Sequence, residues 1–210
     1  MSALAQEYER KIHDRVIIKF EEPGIIGRWI LDGEPVDLVV LPAGWDQVRE
    51  TIDGTPVGIA HAEFGILAAT NAPKPDTSAD DAVRRTLLAA KSIAYADPQT
   101  GAITGVLFVR MIERLGIADE VKKKSKIVAS RQVDLITRGE ADLAVAFSSA
   151  VVDVPGTQFA SMPPNFQTTI TFSGAIAISA KQPVAAKALL QFFTSPSAAP
   201  IIKSKGYEPG

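Results

Sequence analysis

Hydrophobic and polar positions along this chain change their period from that of a helix to that of a strand and back. Leu4, Tyr8 and Ile12 recur every four residues, the spacing of one apolar stripe on a helix. Val16 to Phe20 is rich in β-branched residues and predicts a strand. A second short helix should follow, and then a strand in the apolar run from Val36 to Leu41. This order of elements predicts an α/β layer architecture.

The pattern continues in the same way to the end of the chain. The stretch 56–70 predicts two short strands that separate near His61, and Thr77 or Ser78 is predicted to cap a helix that begins at Ala79. Strands are further predicted at 92–96, 126–129, 142–147 and 168–179, and helices at 106–115, 132–138, 183–194 and 196–203.

One short module occurs twice. Residues 30–40 read Ile-Leu-Asp-Gly-Glu-Pro-Val-Asp-Leu-Val-Val, and residues 136–145 read Ile-Thr-Arg-Gly-Glu-Ala-Asp-Leu-Ala-Val. Each copy predicts a helix end, a Gly-Glu turn and an apolar strand that an aspartate opens. Two similar α/β lobes would hold one copy each, and small ligands bind in clefts of the kind that two lobes form.

Composition excludes several classes of function. The formal charge of −2 leaves no basic stripe for nucleic acid. Cysteine is absent, and His13 and His61 lie far apart, so we expect neither a metal site nor a cofactor. No apolar run approaches the ~20 residues of a membrane span. The first residues lack the pattern of a signal peptide, so the protein is expected either in the cytoplasm or to begin after a removed export signal.

The loop from Asp97 to Gly105 is the first candidate ligand site. It joins a predicted strand to a predicted helix and carries Thr100, Gly101 and Thr104. The unpaired N–H groups and partial positive charge of a helix N-terminus attract anions. Ligands of open α/β sheets bind at the carboxyl ends of strands, where this loop falls. The alternative is a capped helix with a tight entry turn.

Two other strand ends are further candidates. Glu22 and Gly24 follow the predicted strand at 16–20, where the acidic side chains favour a cationic or hydroxylated group over an anion. Ser148 and Ser149 follow the strand of the second module, where serines either donate to a ligand or cap the next segment. Ser173, in the long β-rich run, completes the candidate set.

Catalytic patterns are sparse. His61 and Glu63 are two residues apart, so in a strand they face the same side and form a candidate acid–base pair. The alternative is a structural histidine beside an apolar strand.

Several segments, taken in order, resemble bacterial extracellular solute-binding proteins of the molybdate-binding type. The segments are 72–76, the helix with Arg84-Arg85, 92–98, Gly101 with Thr104-Gly105, 116–118, 138–142 and 205–209. The resemblance covers the chain from about residue 4 to its end, and its specificity comes from the order in which the segments follow one another.

This resemblance implies a type II periplasmic-binding-protein fold. Two α/β lobes, each a mixed sheet flanked by helices, would be joined by crossing strands and would clamp a ligand between them. Lobe one would comprise residues 1–68 and 174–210, and lobe two residues 69–173. Members of the family usually start with a strand before the first helix, so the first strand of lobe one is expected to be missing here. An oligomer is expected if another chain fills that place.

The resemblance also implies a function, that of the substrate-binding component of an ABC-type transporter, located in the periplasm. Such a component passes a captured solute to a membrane permease. Molybdate binders place a serine near the start of the second helix, where this chain has Glu22-Pro23-Gly24. A small organic acid is therefore as plausible a ligand as a molybdate-like oxyanion. The alternative is a cytoplasmic isomerase or lyase on the same fold that acts on a small organic acid.

Overall fold

The protein has a mixed α/β fold, which confirms the predicted fold class. The computed structural model describes residues 1–12, 15–21, 23–42, 45–152 and 154–210. The chain divides into two compact units: the first consists of Met1–His61 and Ile170–Gly210, and the second consists of Ala62–Thr169. The lobe boundaries after residues 68 and 173 stay predictions. Across the described ranges, no helix has both the length and the apolar character that a membrane crossing requires.

The elements follow the chain in an alternating order. The helices are α1 Ser2–Ile12, α2 Pro23–Leu31, α3 Asp80–Ala89, α4 Ile103–Arg114, α5 Ala118–Lys122, α6 Asp134–Thr137, α7 Pro183–Phe193 and α8 Ala199–Ser204. The strands are β1 Leu38–Leu41, β2 Ile52–Ala69, β3 Ile93–Ala96, β4 Ser125–Val128, β5 Leu143–Phe147, β6 Thr157–Ser161, β7 Thr169–Ala177 and β8 Glu208–Pro209.

The first unit is built on the order β1-β7-β2-β8. β1 pairs antiparallel with β7, with Leu38 opposite Ile176 and Leu41 opposite Ser173. The amino-terminal part of β2 follows β7 in the sheet order and pairs with β8, where His61 lies opposite Glu208. One hydrophobic cluster of this unit brings together side chains of α1, β2, α7 and α8.

The second unit is built on the order β4-β3-β5-β2-β6. β3 pairs parallel with β4 and β5, whereas the carboxyl-terminal part of β2 pairs antiparallel with β5 and β6. Successive residues of β5 alternate between two cores: Val145 packs with α3 and α4, and Ala144 packs with α6. Burial on both faces explains why β3 and β5 are nearly continuous apolar runs.

The repeated module has the same backbone geometry in both units. Gly33 and Gly139 are left-handed, with φ of 77° and 68°. Glu34 N–H donates to Trp29 O at 2.9 Å, and the equivalent Glu140 N–H donates to Leu135 O at 2.8 Å. These six-to-one bonds after a left-handed glycine define a Schellman helix end. The module is therefore a repeated structural unit as well as a repeated sequence.

The aspartate that opens each module strand also has a shared role. Asp37 Oδ1 accepts the N–H groups of Lys181 and Gln182, both at 2.8 Å, directly before α7. Asp142 Oδ2 accepts Lys91 N–H at 2.7 Å, directly after α3. Each carboxylate thus ties its strand to a segment that is distant in sequence.

Three local predictions are wrong. Val16 to Phe20 is not a strand: Ile17 is 79% exposed and has no strand partner among the described residues, because pairing rather than propensity decides a strand. Residues 56–69 belong to one strand of 18 residues, not to two strands. Neither Thr77 nor Ser78 caps α3, since the N-cap is Ala79 and the Ser78 hydroxyl donates to Asp76 instead.

Candidate functional site

Two predicted ligand loops follow neighbouring parallel strands of the second unit's sheet. β3 and β5 run parallel as neighbours, with Ile93 opposite Leu143 and Ala94 opposite Ala144. The turns that follow Ala96 and Phe147 therefore leave the sheet on the same side, which we call the carboxyl edge. Adjacent strand ends of a parallel pair form the usual ligand crevice of an open α/β sheet.

The turn after β3 is held by its own hydrogen bonds. Asp97 Oδ1 accepts Gln99 N–H at 2.9 Å, and Thr100 Oγ1 donates to Asp97 O at 2.7 Å. Gly101 has a φ of 81° and donates its N–H to Pro98 O. Because the Thr100 hydroxyl proton is engaged within the turn, Thr100 has a shaping role here, and Gly101 supplies the left-handed residue that the turn needs.

The N-terminus of α4 follows this turn directly. Its N-cap is Ala102, which makes no side-chain cap, and Val106 N–H to Ala102 O is the first hydrogen bond of the helix. The N–H groups of Ile103, Thr104 and Gly105 precede that bond, so they carry the partial positive charge of the helix end. Thr104 is half-buried and adds a hydroxyl group at the same place.

Gly105 sets how closely α4 approaches β3. A Cβ atom at this position would overlap the Ala96 carbonyl oxygen and would lie 3.0 Å from the Ala96 carbonyl carbon and from Pro98 N. Only glycine allows the helix and the strand end to be this close. The contact fixes the helix N-terminus against the carboxyl edge.

The turn after β5 brings hydroxyl groups to the same edge. Ser148 and Ser149 begin a 3-10 helix, Ser148–Val151, and both are half-buried. Ser148 Oγ accepts the N–H of Glu63 at 3.1 Å, which ties this turn to β2.

Glu63 belongs to a hydrogen-bond chain on β2 and β6. Ser161 Oγ donates to Glu63 Oε2 at 2.5 Å, and Gln167 Nε2 donates to Ser161 Oγ at 2.6 Å. Gln167 Oε1 accepts the N–H groups of Phe64 and Thr168 at 3.0 and 2.9 Å. Phe64, the residue after Glu63 on β2, lies opposite Phe147 at the end of β5, so this hydrogen-bond chain fixes a carboxylate beside the candidate donors.

The structure does not bring all the predicted residues to this edge. His61 belongs to the first unit, where it is half-buried and lies opposite Glu208. Gly24 is exposed in the first turn of α2, and Ser173 is half-buried in β7 opposite Leu41. Glu22 lies outside the described residues. The roles of these four residues stay predictions.

Sequence reasoning missed Ser161 and Gln167. Their partners are remote along the chain, since Ser161 is 98 residues from Glu63 and Gln167 is 103 residues from Phe64. The available signal was weak: each is a polar residue at or near a strand end, and the sequence does not show its partner.

A cavity of about 880 Å³ lies at the opposite edge of the second unit's sheet, between the loop 70–76 and the carboxyl ends of α3 and α6. Two of its hydroxyl groups serve the protein itself: Thr86 donates to Asp76 O, and Thr137 donates to Asp134 O. The Ser78 hydroxyl and N–H donate to the Asp76 carboxylate and hold its pKa below the ordinary range. We therefore assign the candidate site to the carboxyl edge.

The donor set at the carboxyl edge consists of neutral groups. Residues 97–105 and 147–151 include no lysine, arginine or histidine. Among the described residues, no group of three histidine, aspartate or glutamate side chains is placed to hold a metal ion. Backbone N–H and hydroxyl groups at a helix N-terminus can bind an anion without a charged partner.

Two known proteins are similar to this chain in sequence. An aconitate isomerase from Pseudomonas sp is 29% identical over 196 residues, 90% of this chain and 73% of that protein. The molybdate-binding protein ModA of Azotobacter vinelandii is 26% identical, over 99% of this chain and 84% of that protein.

Solved structures show the same fold. A chain described as the substrate-binding domain of a molybdenum ABC transporter from Clostridium difficile superposes with a TM-score of 0.86 at 18% identity, over 100% of this chain and 93% of that one. The periplasmic molybdate-binding protein of Azotobacter vinelandii gives a TM-score of 0.65 at 18% identity, over 100% and 94%. These neighbours confirm the predicted periplasmic-binding-protein fold.

The model of one protein family, described as bacterial extracellular solute-binding protein, matches residues 1–208 of the chain. That match spans both compact units and includes every element that forms the carboxyl edge. The chain belongs to the bacterial extracellular solute-binding protein family.

Proposed function

We propose that this protein is the substrate-binding component of an ABC-type transporter and that it captures a small anionic solute at the carboxyl edge of the second unit. The observation that carries the proposal is the N-terminus of α4, which lacks a side-chain cap and is pressed against the end of β3. The expected location is the extracellular or periplasmic setting of the family, and the expected partner is a membrane permease.

The donor geometry supports an anion of small size. Ile103, Thr104 and Gly105 offer successive N–H groups within one helical turn, and the turn with Ser148 and Ser149 leaves the sheet at the adjacent strand. Neutral donors of this kind suit an oxyanion or a carboxylate equally well, because both present several acceptor oxygens. A molybdate-like oxyanion and a small organic acid are therefore the two solute classes that we propose, and the named relatives include one of each.

The proposal is tested by thermal unfolding in the presence of molybdate, tungstate, sulfate, phosphate, citrate and aconitate. A solute that binds only the folded state stabilises it by about 2.7 kcal/mol at 100 times its dissociation constant. For a chain of this size, we expect the midpoint to rise by about 5–10 °C with at least one of these anions. No shift with any of them would contradict the proposal.

Paired variants test the location of the site. Thr104→Val removes the hydroxyl at the start of α4 and should reduce the shift that the active anion produces. Thr137→Val is the matched control, because Thr137 lies on α6, in the cavity at the opposite edge. Each shift is measured from the variant's own midpoint. Equal shifts in the two variants would place the solute away from Thr104.

A second candidate function is the isomerisation of a small unsaturated organic acid. Two observations favour it: the Pseudomonas relative is named an aconitate isomerase, and Glu63 presents a carboxylate beside the turn after β5, oriented by Ser161. A carboxylate next to a bound organic acid is placed to act as a general base on a carbon-bound proton.

This second function has its own test. We would incubate the protein with cis-aconitate in D₂O and follow the appearance of the trans isomer and of deuterium by NMR. Turnover that is lost in Glu63→Gln but kept in Glu140→Gln would establish it, because Glu140 lies in the turn before β5 and pairs with Arg138. Binding of cis-aconitate without turnover would contradict the isomerase function and would leave solute binding for transport as the remaining proposal.

A further inference from the structure

Glu63 brings a negative charge to the carboxyl edge, where the candidate donors are neutral. It is half-buried, and its N–H donates to Ser148 Oγ at 3.1 Å. Among the described residues, no lysine, arginine or histidine forms an ion pair with its carboxylate. Arg131, which follows β4 at this edge, is paired with Asp134 at 2.6 Å. A bound anion would therefore meet a negative charge that no ion pair in the described ranges offsets.

The hydrogen bonds that hold Glu63 run in one direction. Gln167 Oε1 accepts two backbone N–H groups, which fixes the orientation of this amide and places its Nε2 group 2.6 Å from Ser161 Oγ. An amide nitrogen only donates, so Ser161 Oγ accepts this bond and gives its single proton to Glu63 Oε2 at 2.5 Å. Glu63 Oε2 is consequently an acceptor that the protein itself satisfies.

The other carboxylate oxygen of Glu63, Oε1, accepts no hydrogen bond from the part of the chain that the structure describes. An ionised carboxylate only accepts hydrogen bonds, and a polar group that is withdrawn from water needs a partner. Because Glu63 is tied to the turn that begins at Ser148, this oxygen lies beside the candidate donors. The carboxyl edge therefore suits a ligand that brings a hydrogen-bond donor of its own.

We propose that Glu63 selects the solute by accepting a hydrogen bond from a hydroxyl group or an acid proton of the ligand, while the N-terminus of α4 binds the ligand's negative charge. This inference rests on the proposed function, because it concerns the same anion site. The solute class that satisfies both groups is a hydroxycarboxylic acid, which carries a carboxylate and a hydroxyl donor. A bare oxyanion such as molybdate or sulfate offers only acceptor oxygens, and the Glu63 carboxylate opposes its binding.

Matched pairs of anions test this selection, with dissociation constants measured by isothermal titration calorimetry at neutral pH. The members of each pair differ in one hydrogen-bond donor: citrate and tricarballylate, malate and succinate, and phosphate and sulfate, since phosphate keeps a proton at this pH. A hydrogen bond to a charged group changes an affinity by about 10–100-fold. We therefore expect the member with the donor to bind at least about tenfold more tightly in at least one pair.

Glu63→Gln gives a readout that a merely structural role would not move. The introduced amide keeps an acceptor oxygen for Ser161 Oγ and turns an N–H donor toward the ligand. This variant should therefore lose the preference and bind the member without the donor more tightly than the parent does, whereas structural damage would weaken both members together. Glu140→Gln is the matched control, because Glu140 lies in the turn before β5, at the other end of that strand, and should keep the preference of the parent.

The possible outcomes separate this inference from the function on which it rests. Equal affinities within every pair, tighter binding of the members without the donor, or a preference that Glu63→Gln retains would overturn the selection by Glu63. In each of these cases an anion still binds, so the proposed function stands. If none of the anions bound to the parent protein, the proposed function would be overturned and this inference with it.

Discussion

The substitution Gly105→Ala tests the contact that places α4 against β3. The added methyl group would overlap the Ala96 carbonyl oxygen and would lie 3.0 Å from Pro98 N. Both are backbone atoms, so the conflict cannot be relieved by turning a flexible side chain. The helix, the strand end or both must move.

The magnitude follows from two opposing effects. Replacing a helical glycine by alanine stabilises a helix by about 0.5–1 kcal/mol when there is room. Overpacking a tight contact costs about 1–3 kcal/mol, and more where backbone must shift. We therefore expect Gly105→Ala to lower the free energy of unfolding by about 2 kcal/mol.

Gly27→Ala is the matched control within α2. A Cβ atom there would lie 3.6 Å from Val48 Cγ1, which is ordinary van der Waals contact. This variant should gain about 0.5–1 kcal/mol, because only the backbone effect remains. The two identical substitutions should thus change stability in opposite directions.

Urea denaturation followed by circular dichroism measures both variants, and the anion-induced shift is measured on each. We expect Gly105→Ala to weaken anion binding as well as the fold, because it displaces the N-terminus of α4. A Gly105→Ala protein as stable as the parent would refute the reasoning, since the close approach would then not constrain the helix. If Gly105→Ala lost stability but still bound the anion fully, the close approach of α4 to β3 would matter for the fold and not for anion binding.

Three further outcomes are expected from hydrogen bonds elsewhere in the chain. Asp37→Ala should lower the free energy of unfolding, measured in urea, by about 1 kcal/mol, because two N–H groups before α7 lose their acceptor. Asp37→Asn should retain most of the parent's free energy of unfolding. Equal losses in both variants would contradict this prediction. Gln167→Ala should cost about 1–3 kcal/mol because Thr168 N–H loses its acceptor and Phe64 N–H keeps only the Thr168 carbonyl oxygen, and an unchanged free energy of unfolding would contradict this. Asp76 has a lowered pKa in the folded state, so its stabilisation is present above the unfolded pKa and is lost as the pH falls through the folded pKa. The acid limb of a stability–pH curve should therefore be shallower in Asp76→Asn, and an identical curve would show that Asp76 contributes nothing.

Elements with local signals could be predicted from the sequence. The apolar spacing of α4 and the glycine at residue 116, with a φ of 67°, marked both the helix and its end. The module with Gly33 and Gly139 was recognisable because a Schellman helix end needs a left-handed residue at a fixed place. These features depend on residues a few positions apart.

Features that depend on distant partners could not be predicted in this way. Val16 to Phe20 has the composition of a strand, but a strand also needs a neighbour, and the sequence does not show whether one is present. The hydrogen bonds among Glu63, Ser161 and Gln167 join segments about a hundred residues apart, and no local sequence pattern indicates them.

The two aspartate anchors close loops of very different length, and this bears on the order in which the molecule folds. Asp142 and Lys91 are 51 residues apart, whereas Asp37 and Lys181 are 144 residues apart. By the logarithmic dependence of loop entropy on length, the longer closure costs about 0.9 kcal/mol more. The second unit is also continuous in sequence, while the first must recruit its carboxyl-terminal part.

We therefore expect the second unit to acquire protected amides before the first during refolding. Pulse-labelling hydrogen exchange would show protection in β3 and β5 ahead of β1 and β7. Such a delay would leave β1 without a strand partner until β7 has been synthesised, and during this stage the chain would be most exposed to proteases and chaperones.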